Sequence, residues 1–156
     1  MKRLVSALCL AVSMPGAALA GDPGVKPGMG LSAVEAALKS RCAAFEVTGD
    51  ADRFVSCRYD GKEDGAFVAI TISPKDRAYF VSWREPVSGE AADFARATAA
   101  ALGFSGPGKG CKLYDYPMLC WTGSDGTVLY SAEKDSQGRY VSYLINEAIE
   151  QADTAE

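Results

Sequence analysis

Apolar residues recur along this chain in two blocks that share one internal order: a helical period, then stretches of alternation. In the first block Leu31, Val34, Ala36, Ala37 and Leu38 follow the helical period, which predicts a helix from 31 to about 42. Ser32 followed by Glu35 has the form of a capping box. Residues 53–59 and 66–72 alternate, the latter with Val68, Ile70 and Ile72 on one side and Phe67, Ala69 and Thr71 on the other. Gly61, Lys62, Glu63, Asp64 and Gly65 read as the hairpin tip between them, and Ser73 to Asp76 as the next turn. A third strand, 78–84, is rich in aromatic and β-branched residues.

The second block opens after Pro86, with Ser88 or Gly89 as the cap of a helix over 90–102. Its expected apolar stripe is Phe94, Ala97, Thr98, Ala101 and Leu102, and Gly103 ends it. Strands are predicted at 112–122, 127–132 and 139–145, the first two joined by a turn of the Asp-Gly type at Asp125–Gly126. Residues 146–156 form an acidic tail with at most one helical turn.

The blocks echo each other in sequence. Cys57-Arg58-Tyr59, Asp64-Gly65 and Phe80-Val81-Ser82-Trp83 return as Cys120-Trp121-Thr122, Asp125-Gly126 and Tyr140-Val141-Ser142-Tyr143. The predicted fold is therefore α+β: two tandem units, 31–86 and 87–145, each a helix plus a three-stranded meander. They build a single domain, joining into one antiparallel sheet with both helices on one face. Trp83 and Tyr143, at matching places, are expected in the core.

The first residues change the picture from fold to location. Met1-Lys2-Arg3 is basic, 4–12 is apolar, and Ala18 and Ala20 are the small residues that a cut before Gly21 requires. This is a signal peptide, 1–20, and its apolar run falls short of the ~20 residues that span a bilayer. Residues 21–30, with Pro23 and Pro27 among glycines, read as a flexible leader. The expected location is periplasmic or secreted, with no membrane span. Loss of Lys2 and Arg3 takes the net charge from −4 to −6. An acidic chain without a basic cluster is a poor nucleic-acid binder.

Of the five cysteines, Cys9 leaves with the signal, and Cys42, Cys57, Cys111 and Cys120 remain. An even number in an exported chain points to disulfides. Three pairings are possible. The repeat favours Cys42–Cys57 and Cys111–Cys120, each stabilising by about 2–4 kcal/mol. Neither spacing suits a zinc site, so no metal and no cofactor is expected. The chain has no histidine, which removes the commonest general base and metal ligand.

A disulfide-stapled helix plus meander, repeated in tandem, resembles the β-lactamase inhibitor protein fold. The segment Gly28-Met29-Gly30-Leu31-Ser32-Ala33-Val34 is similar to the opening of the related small lipoprotein of the outer-membrane β-barrel assembly machinery. The resemblance implies a binding module whose open sheet face meets a partner, and it names no partner.

If Cys57 and Cys120 both point toward the helices, alternation sends Arg58, Phe67, Trp121 and Tyr130 to the opposite face, with Phe54, Ser56, Leu119 and Val128. Arg58, Phe67, Trp121 and Tyr130 are the first candidate binding residues, an aromatic patch with one Arg. Tyr114 and Tyr116, between Cys111 and Cys120, are the second. The alternative is that the first four pack under a loop or the tail, and that Tyr114 and Tyr116 are tyrosines with buried rings and wet hydroxyls. The expected function is non-catalytic: binding of a protein partner, as an inhibitor or an envelope accessory. The alternatives are a histidine-independent enzyme using a carboxylate or Tyr, and a small-ligand carrier.

Overall fold

A computed structural model describes residues 22–62, 65–86 and 89–155. The expectations for the signal peptide, for Glu63 and Asp64 at the hairpin tip and for Ser88 as a helix cap lie outside the described residues. Alternating stretches become strands as the pattern demands: β1 (Ala44–Thr48), β2 (Arg53–Arg58), β3 (Phe67–Ile72), β4 (Ala78–Glu85), then β5 (Lys109–Leu113), β6 (Tyr116–Thr122), β7 (Val128–Lys134) and β8 (Tyr140–Ile145). They form one antiparallel sheet in the order β1-β2-β3-β4-β8-β7-β6-β5. The two halves meet at its centre, β4 against β8. The class is α+β, as expected.

Each meander has four strands, not three. β1 is an edge strand whose burial fades along its length, so its sequence carries little alternation. β5 begins before the expected strand 112–122 and overlaps only its first two residues. Tyr114 and Asp115 break that run with φ of 51° and 67°, making a two-residue hairpin turn that sequences usually give to Asn-Gly.

The helices are α1 (Leu31–Leu38, continuing as a 3₁₀ turn through Arg41), α2 (Ala91–Ala101) and α3 (Glu147–Thr154). Gly30 takes the N-cap of α1, and no Ser32–Glu35 capping box forms. The Leu31 N–H instead donates to Asp76 Oδ1 at 3.0 Å, and Arg53 holds the same oxygen at 2.6 Å. Val34 and Leu38 of α1 share one core cluster with Ala95 and Ala99 of α2, both packing on Val55, Cys57, Val68, Ile70, Val81, Trp83, Trp121, Leu129 and Leu144. Both helices therefore cover the same sheet face. The α2 stripe is rotated from the expected one: Ala95, Thr98 and Ala99 are buried, while Ala97 and Ala101 are exposed. Phe94 stacks on Tyr140, ring centroids 4.7 Å apart.

The halves repeat at a spacing of 61 positions: 34 with 95, 38 with 99, 68 with 129, 83 with 144. By place in the ladder, Cys57, opposite Val68, corresponds to Trp121, opposite Leu129, and not to Cys120; the spacing there is 64, because the β2–β3 connection is three residues longer than the β6–β7 one. Two further expectations change. The leader is packed: Val25 is 2% exposed within the core, and Gly28 N and Ala78 N donate hydrogen bonds to the Ala78 and Met29 carbonyls at 2.7 and 2.8 Å. The tail forms α3, because Asn146 caps it by accepting from Ile149 N at 3.2 Å and Asp153 anchors its far end. Both expected disulfides are present, Cys42–Cys57 and Cys111–Cys120, with Cα separations of 5.4 and 6.1 Å. Each ties an edge strand, or the segment entering it, to its neighbour.

Candidate binding face

Side chains pointing away from α1 and α2 form rungs across the other sheet face. One rung runs Arg58–Phe67–Arg84–Val141–Glu133. The next runs Ser56–Ala69–Ser82–Tyr143–Tyr130–Cys120, and the third Phe54–Thr71–Phe80–Ile145–Val128–Thr122. The alternation of each strand imposes this pattern, since the opposite positions are committed to the core.

Three of the first four candidates are on this face. Arg58 is exposed at one side, directly opposite half-buried Phe67. Tyr130 is half-buried farther across, its phenol pushed up by burial, then by the charge of Glu147. Trp121 is not on it. Its partner across the ladder is Leu129, it is 5% exposed in the core, and its Nε1–H donates to the Gly106 carbonyl at 3.0 Å. Gly108 passes so close that a Cβ there would stand 2.5 Å from Trp121 Cζ2. The reason for the reversal is Cys120: it points to the open face, and the Cys111–Cys120 bond lies there, opposite in sense to Cys57. Leu119 accordingly turns to the core side. Tyr143, expected in the core, is on the open face as well.

Tyr114 and Tyr116 stand at the tip of the β5–β6 hairpin, 71% and 57% exposed. They are the most exposed aromatic residues described, at the sheet's far edge and away from the Arg58–Phe67 side.

The structure adds residues that the sequence reading passed over. Phe80 meets Tyr143 with centroids 5.9 Å apart. The Tyr143 hydroxyl donates to Glu133 Oε2 at 3.4 Å, and burial, with the Glu133 charge behind it, pushes that phenol up to about 12. Arg84 lies over Phe67, its Cζ 5.8 Å from the ring centroid. These side chains were legible in principle: once Val68 and Trp83 share a face, Phe80, Ser82 and Arg84 must share the other. At the Ile145 end, the first turn of α3 (Glu147, Ala148) and Val128, Tyr130 and Ile145 bound a cleft of about 160 Å³.

Other titrating groups point to structure. The carboxyls of Asp76, Asp125 and Asp153 are held below the usual range, chiefly by the Leu31 N–H, the Thr127 N–H and the Arg77 guanidinium in turn. Among the described residues no cluster of three or more His, Cys, Asp or Glu could hold a metal ion, and no helix is long and apolar enough to cross a membrane. No protein-family model, curated protein or solved structure matches this chain.

Proposed function

We propose that this chain is an exported, non-catalytic binding protein whose protein partner docks on the sheet face opposite α1 and α2. The observation that carries the reading is that face itself. Two helices cover one side of an eight-stranded sheet, and the other side presents Phe54, Phe67, Phe80, Tyr130 and Tyr143 together with Arg84 of the central strand β4. Aromatic residues with Arg and few other charges are what interface centres favour. Phe54 is 51% exposed, an unusual place for a phenylalanine that has no second layer to serve. The likeness in plan to the β-lactamase inhibitor protein fold leans the same way.

Export rests on the signal-like residues 1–20, with cleavage after Ala20, and on two disulfides, which suit a periplasmic or extracellular compartment. The enzyme alternative draws no support from the titrating groups. Asp76, Asp125 and Asp153 move away from the neutral range a general base needs, and the Tyr59 and Tyr143 phenols are pushed up to about 12, away from a reactive phenolate.

The test is site-specific photo-crosslinking in the cell. A photoreactive phenylalanine analogue replaces Phe67 or Phe54 on the open face, or exposed Ala97 on α2. A discrete crosslinked species from the first two positions and none from Ala97 is the expected result. Equal crosslinking from Ala97, or none from the open face, overturns the assignment.

A further inference from the structure

We infer that Arg84 is the anchor of the open face, and that its ligand is a carboxylate, an Asp or Glu side chain carried among apolar residues of the partner protein. This rests on the docking reading above and gives the partner its chemistry.

Arg84 sits next to the last residue of β4, one of the two central strands, between Phe67 on β3 and Val141 on β8. Its Nε–H is shut off from solvent and has no hydrogen-bond partner. No carboxylate lies within 4 Å of its guanidinium among the described ion pairs, which join Arg53, Lys75, Arg77, Arg96 and Arg139 to aspartates. The acid nearest in the same rung is Glu133, with Val141 between them, and its Oε2 takes the Tyr143 hydroxyl. Arg84 is therefore a half-buried cation with no ion-pair partner among the described residues.

The surroundings fix its pose. The Phe67 ring holds the guanidinium from one side, a contact that orders the long side chain before any partner arrives. Ser82 and Val141, beside it on the same face, are 5% and 2% exposed, so the rest of the ground around Arg84 is closed and largely apolar. A carboxylate brought in here must shed its own water, but the guanidinium has already given up part of its own. The carboxylate would meet a cation that is preordered and partly desolvated, the setting in which a charge-assisted hydrogen bond counts most. A neutral amide of the same shape would gain none of this.

Charge complementarity also selects the partner's form. The chain as a whole is acidic, net −4, so a highly acidic surface is repelled at long range. One carboxylate among apolar side chains matches one arginine among aromatic rings. Phosphate, with its higher charge and wider oxygen spread, asks for several donors, and Arg58 and Arg84 are separated by Phe67 along the rung.

The experiment uses the full secreted chain, labelled with nitrogen-15, and reads the Arg84 Nε–H resonance, assigned by its loss in Arg84→Lys. The probes are acetyl-Phe-Asp-Phe-amide, its Asn counterpart and inorganic phosphate. The Asp peptide should move that resonance saturably, with the Asn peptide weaker by roughly tenfold or more. In Arg84→Gln, its fold checked by thermal melt, the two peptides should bind alike. If both peptides bind the wild-type face equally, the carboxylate assignment fails while docking on this face stands. If the shifts map onto α1 or α2, both fail. If phosphate moves the Arg84 resonance as strongly as the Asp peptide, or if no probe moves it by ~10 mM, the assignment is overturned.

Discussion

Trp121→Ala removes an indole that the core cannot replace. The side chain is 5% exposed and packs in the same cluster as Leu129, Leu144 and the helix residues Ala95 and Ala99. Truncating a buried Trp to Ala costs about 3–5 kcal/mol in lost transfer and cavity terms. The bond from Nε1 to the Gly106 carbonyl adds about 1 kcal/mol. For a domain of this size such a loss lowers the melting temperature by roughly 10–20 °C. Trp83→Ala is the reference, since that residue is fully buried on the same face. Its Nε1 has no hydrogen-bond partner, so its removal forfeits packing alone. Trp121→Phe keeps most of the ring and loses the bond, and should cost about 1–2 kcal/mol. Gly108 supplies an independent check. At φ of 77°, and with the indole 2.5 Å from where an alanine Cβ would stand, Gly108→Ala is both strained and crowded. It should be destabilising in the wild type and measurably less so beside Trp121→Ala, a coupling of about 0.5–3 kcal/mol in a double-mutant cycle. Thermal and urea melts compare each variant with wild type. If Trp121→Ala melts within ~2 °C of wild type while Trp83→Ala is severely destabilised, Trp121 faces solvent and β6 is turned the other way round.

Three further outcomes are expected. Asp153 accepts from Ser73 Oγ at 2.6 Å and from Arg77 Nε at 2.9 Å, and Arg77 and then Ser73 bring its carboxyl down to about 2. A depressed folded value contributes stability above the unfolded value near ~4, lost as pH falls through ~2; acid melts should show Asp153→Asn flatter than wild type over that window. Tyr143, with a phenol at about 12, should titrate late in a tyrosine absorbance titration, and Tyr143→Phe should remove one late equivalent. Because the raised value favours the neutral folded form, stability should fall between about pH 10 and 12, and Tyr143→Phe should soften that fall. Replacing Tyr114-Asp115, both at positive φ, by Asn-Gly should stabilise the hairpin by about 1 kcal/mol, read from the urea midpoint; a lower midpoint would refute the turn geometry.

What could be read from the residues was whatever the core enforces on its own. Val68, Ile70 and Ile72 alternate because β3 has one face under the helices, and both faces of that strand were legible, with its start read one residue early. The two disulfides were expected from one cysteine pair per half, and that pairing is the one present, although the cysteines of the two halves do not occupy equivalent positions. The faces of β6 were not legible, because the visible match of Cys57 to Cys120 is one residue away from the structural match of Cys57 to Trp121. A one-residue slip exchanges both faces of a strand. It also hides easily here, since each half carries a ladder irregularity, at Thr71/Ile72 in one and after Tyr130 in the other. β1, the α2 stripe and α3 were missed for a related reason. An edge strand, an alanine-rich helix and a polar tail owe their structure to what they contact, not to their own pattern.

The corrected alignment bears on function. Toward the helices the two halves agree in kind: Val34 with Ala95, Leu38 with Ala99, Val68 with Leu129, Trp83 with Leu144. Across the open face the same spacing sets Arg84 against Ile145, Phe67 against Val128 and Ser82 against Tyr143. Two matching halves would need only the first agreement to fold, because the core face alone decides packing. A symmetric partner, or two copies of one partner, would demand the second agreement as well. The open face has a cation on one side of the central strand pair and a hydroxyl-bound acid, Glu133, on the other. It is a single asymmetric surface, with Arg84 near one end of its central strand β4. Giving Arg84 the side chain of its counterpart, Arg84→Ile, should leave the sheet intact and remove the charge, whereas the reverse change would bury an arginine at Ile145, which is 9% exposed. In Arg84→Ile, photo-crosslinking from Phe67 should fall while the melting temperature stays within a few degrees. Undiminished crosslinking would mean that the partner reads the rings and ignores the cation.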